Sequence, residues 1–118
     1  MGKKTLPEIE SLARKILTTY SCDSDMEFMI STFADDIVWL GSGEQQKAEG
    51  KEAVAAVFRS GKAGMIACDM CEEQYHSIDL GGGSYFCEAV SRLISKPESE
   101  TCLHIQQRAT FVFRAKGA

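Results

Sequence analysis

The sequence predicts a single α+β domain, residues 1–118, in which N-terminal helices pack on one face of a curved antiparallel sheet. Three observations carry that prediction. Helical stripes opened by capping patterns fill the first third of the chain, three long extended segments fill the second half, and the links between those segments are hairpin connections too short for a parallel crossover. With 118 residues, 44% of them hydrophobic and 25% charged, the chain can bury one core without a staple.

Thr5-Leu-Pro-Glu8 is a capping-box pattern with proline in the first turn. Leu6, Ile9, Leu12, Ala13, Ile16, Leu17 and Tyr20 follow at helical spacing and define the first helix. Ser24-Asp-Met-Glu27 repeats the signature, and Met26, Met29, Ile30 and Phe33 predict a short second helix ending near Ala34. Asp35-Asp36 then turns the chain into residues 37–40, Ile-Val-Trp-Leu, closed by Gly41-Ser-Gly43. An apolar run on both parities predicts a strand covered on both faces, with Trp39 largely buried. Residues 44–49 read as a polar loop, and a third helix follows Gly50 with Ala53, Val54, Val57 and Phe58 on one face, ended by Gly61 and Gly64.

The extended segments cover roughly residues 67–80, 85–95 and 101–116, separated by Gly81-Gly-Gly83 and by Lys96-Pro-Glu-Ser-Glu100. In the last one Leu103, Ile105, Ala109, Phe111 and Phe113 share one parity, and His104, Gln106, Arg108, Thr110 and Arg114 the other. Such alternation predicts one buried and one wetter face. The middle segment carries apolar residues on both parities, Phe86, Val90 and Ile94 against Tyr85, Cys87, Ala89 and Leu93, and leaves open coverage on both faces.

A formal net charge of -4 and the lack of any Lys/Arg concentration beyond the Lys3-Lys4 pair argue against a nucleic-acid surface. No run approaches the ~20 apolar residues of a membrane span, and the N-terminus passes straight into an amphipathic helix, so no membrane partner and a cytoplasmic location are expected. Gly2 does not make a myristoylation signal, because Leu6 stands where that motif takes Ser or Thr. Five cysteines, an odd number without a secretion signal, predict free thiols. Cys68-Asp-Met-Cys71 has redox or zinc half-site spacing, but it lies on a strand, where positions three apart face opposite ways, and Cys87, Cys102, His76 and His104 offer no second pair at the usual spacings. No metal and no cofactor are expected.

Phe33-Ala-Asp-Asp-Ile-Val-Trp39 leading to Gly41-Ser-Gly, then Gly50-Lys-Glu-Ala-Val54 opening a helix and Arg108-Ala-Thr-Phe-Val-Phe113 in a late strand, resembles the SnoaL-like group of the nuclear transport factor 2-like superfamily. More narrowly the chain resembles the sensory-type SnoaL-like domains found ahead of signalling outputs in gut Firmicutes. The resemblance implies a cone-shaped fold, with a bent sheet wrapped around a long first helix and a pocket between them. It also implies a further strand beyond residue 116 that this sequence does not contain. Residues 101–116 are therefore expected to present an open edge that recruits a second copy.

On that fold Trp39, Phe58, Met65 and Tyr75 would surround the cone's mouth, and Tyr20 and Phe33 would form its helical wall. These aromatic residues suit a small apolar or aromatic ligand, though each serves equally well in a core. Arg108, mid-strand, would hold a ligand carboxylate if it pointed inward, while its parity places it on the wetter face. Asp35 and Asp36 suit a turn, and His76 and His104 lie among polar strand neighbours. An isomerase-type enzyme needs a carboxylate base facing an oxyanion hole in an apolar pocket, and that set is not legible in the chain. The expected function is a non-catalytic small-molecule-binding or sensory domain that dimerises. The alternatives are a small polyketide-cyclase- or ketosteroid-isomerase-like enzyme with a carboxylate or histidine beside Tyr20, Trp39 or Tyr75, and an assembly module without a pocket.

Overall fold

The computed structural model describes residues 4–115, so Gly2, Lys3 and the final residue of the expected last strand, Lys116, lie outside the described residues. Helix α1 is Leu6–Ser21, α2 is Glu27–Ser31, and a hairpin of β1 (Val38–Leu40) and β2 (Lys47–Glu49) leads to α3, Lys51–Ser60. A 3-10 turn, Lys62–Gly64, then feeds β3 (Cys68–Gly81), β4 (Ser84–Ser95) and β5 (His104–Arg114). The last three form an antiparallel sheet in the order β3-β4-β5.

Helix α1 starts as its sequence dictates: the Glu8 N–H donates to Thr5 Oγ1 at 3.2 Å and the Thr5 N–H donates to Glu8 Oε1 at 3.0 Å, closing the capping box. The second capping signature does not close. Ser24 stands at φ 52°, outside the extended region that a capping residue takes, and Asp25 substitutes by accepting from the Glu27 N–H at 3.0 Å. In α3 the buried residues are Val54 and Ala55, with Val57 and Phe58 half-buried, while Ala53 is exposed rather than on the packed face.

The prediction for residues 37–40 needs correction. Residues 47–49, read as loop, pair with β1 edge to edge in a two-stranded hairpin, and the face covered is the one where Trp39 packs on Phe58. Trp39 is therefore half-buried, and its neighbours Val38 and Leu40 are 53% and 71% exposed.

Gly82 and Gly83, at φ 63° and 82°, form the tight link between β3 and β4. Two consecutive left-handed residues match the right-handed twist of the flanking strands and exclude most side chains. The β3–β4 register slips between Cys71 and Gln74, where Glu72 sits at φ 52°. This bulge moves the inward parity from Cys68 and Met70 to Glu73, Tyr75 and Ser77. On β4 the inward face is Tyr85, Cys87, Ala89, Ser91 and Leu93, all buried, while Phe86, Val90 and Ile94 stand on the opposite, more open face. The two-sided coverage left open for this strand is not found.

On β5 the odd residues face inward, as the alternation predicts, although Ile105 is 44% exposed. Helix α1 lies across β3 and β4 with Ile9, Ala13, Ile16 and Leu17 buried, and Ala13, fully buried, admits close approach of the helix. One core cluster joins Ile16, Met26, Met29, Ile30 and Ala55, and a second joins Ile9, Ala13, Tyr85 and Cys87. Phe111 and Phe113, stacked with ring centres 5.3 Å apart, pack against both clusters.

Candidate functional site

The last turn of α1, the link from α3 into β3, and the β4–β5 hairpin meet around a cleft of about 330 Å³. Its lining comes from Tyr20 and Ser21 on α1, from Gly61, Gly64, Met65, Ile66 and Cys68 on the link, and from Leu93, Leu103 and Gln107 on the hairpin. Local structure explains the opening. Gly61 ends α3, the 3-10 turn follows, and the chain reaches the sheet with Cys68 fully buried, its thiol donating to the Ile66 carbonyl at 3.2 Å. Leu103 is pinned opposite Ser95, whose N–H donates to the Leu103 carbonyl at 2.9 Å while Ser95 Oγ accepts the Leu103 N–H at 2.9 Å.

A chain of hydrogen bonds forms one wall. Ser91, buried on β4, donates from Oγ to Gln107 Oε1 at 3.3 Å, and Gln107 Nε2 donates to Oγ of buried Ser21 at 3.1 Å. Burial pushes the Tyr20 phenol above its ordinary pKa. Burial, reinforced by Asp69, does the same to the Cys68 thiol. Both groups stay protonated at neutral pH, and none of the lining residues is a carboxylate, an imidazole or an amine. The cleft is uncharged, with apolar walls and a short neutral polar strip.

Of the residues singled out in the sequence, Tyr20 and Met65 line the cleft. Phe58, Phe33 and Trp39 stand one layer behind. The Phe58 ring centre lies 5.6 Å from Tyr20, 6.1 Å from Phe33 and 5.8 Å from Trp39, so Phe58 joins the aromatic residues that back the wall. Tyr75 belongs elsewhere: it packs on the second core cluster, and its hydroxyl donates to Glu73 Oε1 at 2.7 Å. Glu73 in turn takes Arg14 Nε at 2.7 Å and Nη2 at 3.3 Å, which makes the carboxylate beside Tyr75 part of an ion-pair network away from the cleft.

Arg108 stands where its parity places it, so it does not reach the cleft as a ligand residue would. The alternation of β5 puts it on the outer sheet face, exposed, beside Glu88 and Thr110 in a smaller depression of about 220 Å³. Asp36 pairs with Arg114 at 2.7 Å, which holds its carboxyl below the usual range, and the Asp35 carbonyl accepts the Lys51 N–H, so this acidic pair anchors a turn. His76 and His104 are exposed. The five cysteines are free, and among the described residues no group of three His, Cys, Asp or Glu side chains is placed to hold a metal ion.

Sequence reasoning missed Ser21, Ser91 and Gln107. A signal existed for Gln107, which shares parity with Leu103, Ala109 and Phe111 and is the one polar residue on that inward row. No protein-family model matches the chain, and no curated protein sequence matches it. Among solved structures, a nuclear transport factor 2-like protein of unknown function from Pseudomonas putida superposes with a TM-score of 0.66 at 21% identity, over 97% of this chain and 81% of that one. A protein described as a SnoaL-like polyketide cyclase from Mesorhizobium loti superposes with a TM-score of 0.50 at 16% identity, over 96% of this chain and 91% of that one. By topology and by these likenesses, the chain has the α+β fold shared by nuclear transport factor 2-like and SnoaL-like proteins.

Proposed function

We propose that the chain is a non-catalytic, cytosolic small-molecule-binding domain of sensory type that works as a homodimer. The observation that carries the binding role is the uncharged cleft, about 330 Å³ and lined by apolar side chains with a few hydrogen-bonding groups, the composition of a ligand site at the small end of the usual range. Acid-base chemistry would need a positioned carboxylate or imidazole at the ligand, and the lining residues supply only a phenol and a thiol whose pKa values are raised. Free thiols suit a reducing compartment.

Support for the dimer comes from the outer sheet face, where Ile78, Phe86 and Val112 form one cross-strand row with Ile78 42% and Val112 71% exposed. Glu88 and Arg108 share that face and have no ion-pair partner among the described residues, so a two-fold axis through the face would set each against the other's counterpart.

A thermal-shift screen of neutral aromatic compounds tests the binding role. Wild type should gain several degrees with its best compound, as mass action requires at concentrations ~100 times Kd. Leu103→Trp, which fills the cleft from the inward side of the hairpin, should abolish that gain. A library without effect on wild type, or a gain that persists in Leu103→Trp, overturns the reading.

A further inference from the structure

We infer that the cleft selects neutral ligands bearing a hydrogen-bond acceptor, such as a ketone, aldehyde or amide oxygen, and that Gln107 is the residue that sets this preference. The inference rests on the cleft being the binding site.

Gln107 has one carbonyl oxygen and two amide hydrogens to satisfy. The oxygen is occupied by the Ser91 hydroxyl at 3.3 Å, and one hydrogen goes to Ser21 Oγ at 3.1 Å. The second hydrogen has no acceptor among the described residues, and neither does the Ser21 hydroxyl hydrogen nor the Tyr20 hydroxyl hydrogen. Gln107 Oε1 keeps a second lone pair and the Tyr20 and Ser21 oxygens can also accept, so the polar edge can both donate and accept, and the donor that Gln107 itself offers a ligand is its second N–H. A buried serine holds the amide at each end, Ser91 at 2% and Ser21 at 6% exposure, so Gln107 is oriented before any ligand arrives. The other polar side chain of the lining, Cys68, already spends its hydrogen on Ile66.

Charge excludes the main competitors. The lining holds no cationic or anionic side chain, and the charges that act on its Cys68, those of Asp69 and Lys96, are of opposite sign, so neither a carboxylate nor an ammonium finds a counter-charge within the cleft. Met65, Ile66, Leu93 and Leu103 receive an apolar body, while the Gln107–Ser21 edge receives its oxygen. The same edge gives a hydrocarbon nothing and leaves its donors unpaired, which penalises the analogue lacking the acceptor.

Three probes of one shape, 2-acetylnaphthalene, 2-isopropenylnaphthalene and 2-naphthoate, titrated calorimetrically against the purified chain, test this. The ketone should bind about tenfold tighter than the hydrocarbon, the effect of one neutral hydrogen bond, with the carboxylate weakest. Gln107→Leu should lower the ketone-to-hydrocarbon ratio to below about threefold, with the Ser21 and Tyr20 hydroxyls the donors left, and should raise hydrocarbon affinity by about twofold at most, because an unpaired amide gives way to an apolar side chain. Should Gln107→Leu fail to fold, Ser91→Ala carries the test: the amide loses one anchor and the ratio should fall below about threefold. Failure of all three probes to bind wild type removes the cleft reading itself. Binding of ketone and hydrocarbon with equal affinity, a preference for the carboxylate, or a ratio unchanged in the variant overturns this inference and leaves the cleft standing.

Discussion

Glu73 is partly buried on the inward side of β3, and burial, its largest single influence, pushes its pKa up. The hydrogen bonds from Arg14 and Tyr75, with the Arg14 charge, outweigh that and hold the carboxyl below its ordinary value. A depressed folded-state pKa contributes stability that is complete above the unfolded value, about 4.3, and is lost as pH falls through the folded value. Tyr75 runs the other way: burial first, then Glu73, raise its pKa, so its contribution is complete below about 10 and is lost as pH climbs past it. Urea denaturation across the pH range should therefore show Glu73→Gln less stable than wild type at neutral pH, with the gap closing in acid. Tyr75→Phe should remove part of the alkaline loss. A Glu73→Gln deficit that stays constant into acid would mean the network does not hold the carboxylate ionised.

At the scale of elements the bulge in β3 decides most. One extra residue at Glu72 lets a strand that begins with Cys68 inward continue with Tyr75 and Ser77 inward, beneath α1. Because side chains alternate with period two and Glu72 is the extra residue, deleting it should close the bulge into a regular ladder, with Glu73 opposite Ser91 and with Tyr75 and Ser77 still inward. We expect the deletion to keep the fold and to cost less than ~2 kcal/mol, the loss of the local bend rather than of the inward face. Glu72→Gly should instead be neutral or stabilising by up to ~1 kcal/mol, since glycine accepts φ 52° without steric cost. Chemical denaturation of both variants checks this, and a deletion variant that fails to fold would show that the bend at the bulge is needed even though the inward parity survives without it.

For the whole molecule, assembly turns on the outer sheet face. Ile78, Phe86, Val90 and Val112 lie there with Glu88 and Arg108, while β3 and β5 are the edge strands among the described residues. A face-to-face dimer and an edge-to-edge dimer bury different atoms. Val112→Lys places a charge at the exposed end of the Ile78–Phe86–Val112 row, where burying it unpaired is costly, and should weaken a face-to-face dimer more than tenfold. An edge-to-edge dimer would keep its backbone ladder and barely respond. Light scattering over a concentration series distinguishes the two, and a wild-type monomer at high micromolar concentration removes the dimer from the proposed function.

The sequence by itself determined the class of fold and most of its elements. The capping box at Thr5 and Glu8, the glycines of the β3–β4 link and the alternation of β5 are local signals, each written within a few residues of its effect. Periodicity also put Tyr20 on the stripe of α1, and the family resemblance named Tyr20 and Met65 as pocket residues, both of which reach the cleft. What it left undecided was which partner covers each apolar surface. The run at 37–40 has the same composition whether one or both of its faces are covered, and the fold packs only the Trp39 side, on Phe58, leaving Val38 and Leu40 exposed. The site itself was decided by tertiary structure alone. Gln107 and Ser21 are 86 residues apart in the chain, and their hydrogen bond exists because α1 crosses the sheet where β5 turns that side chain inward, a coincidence in space that no local pattern encodes.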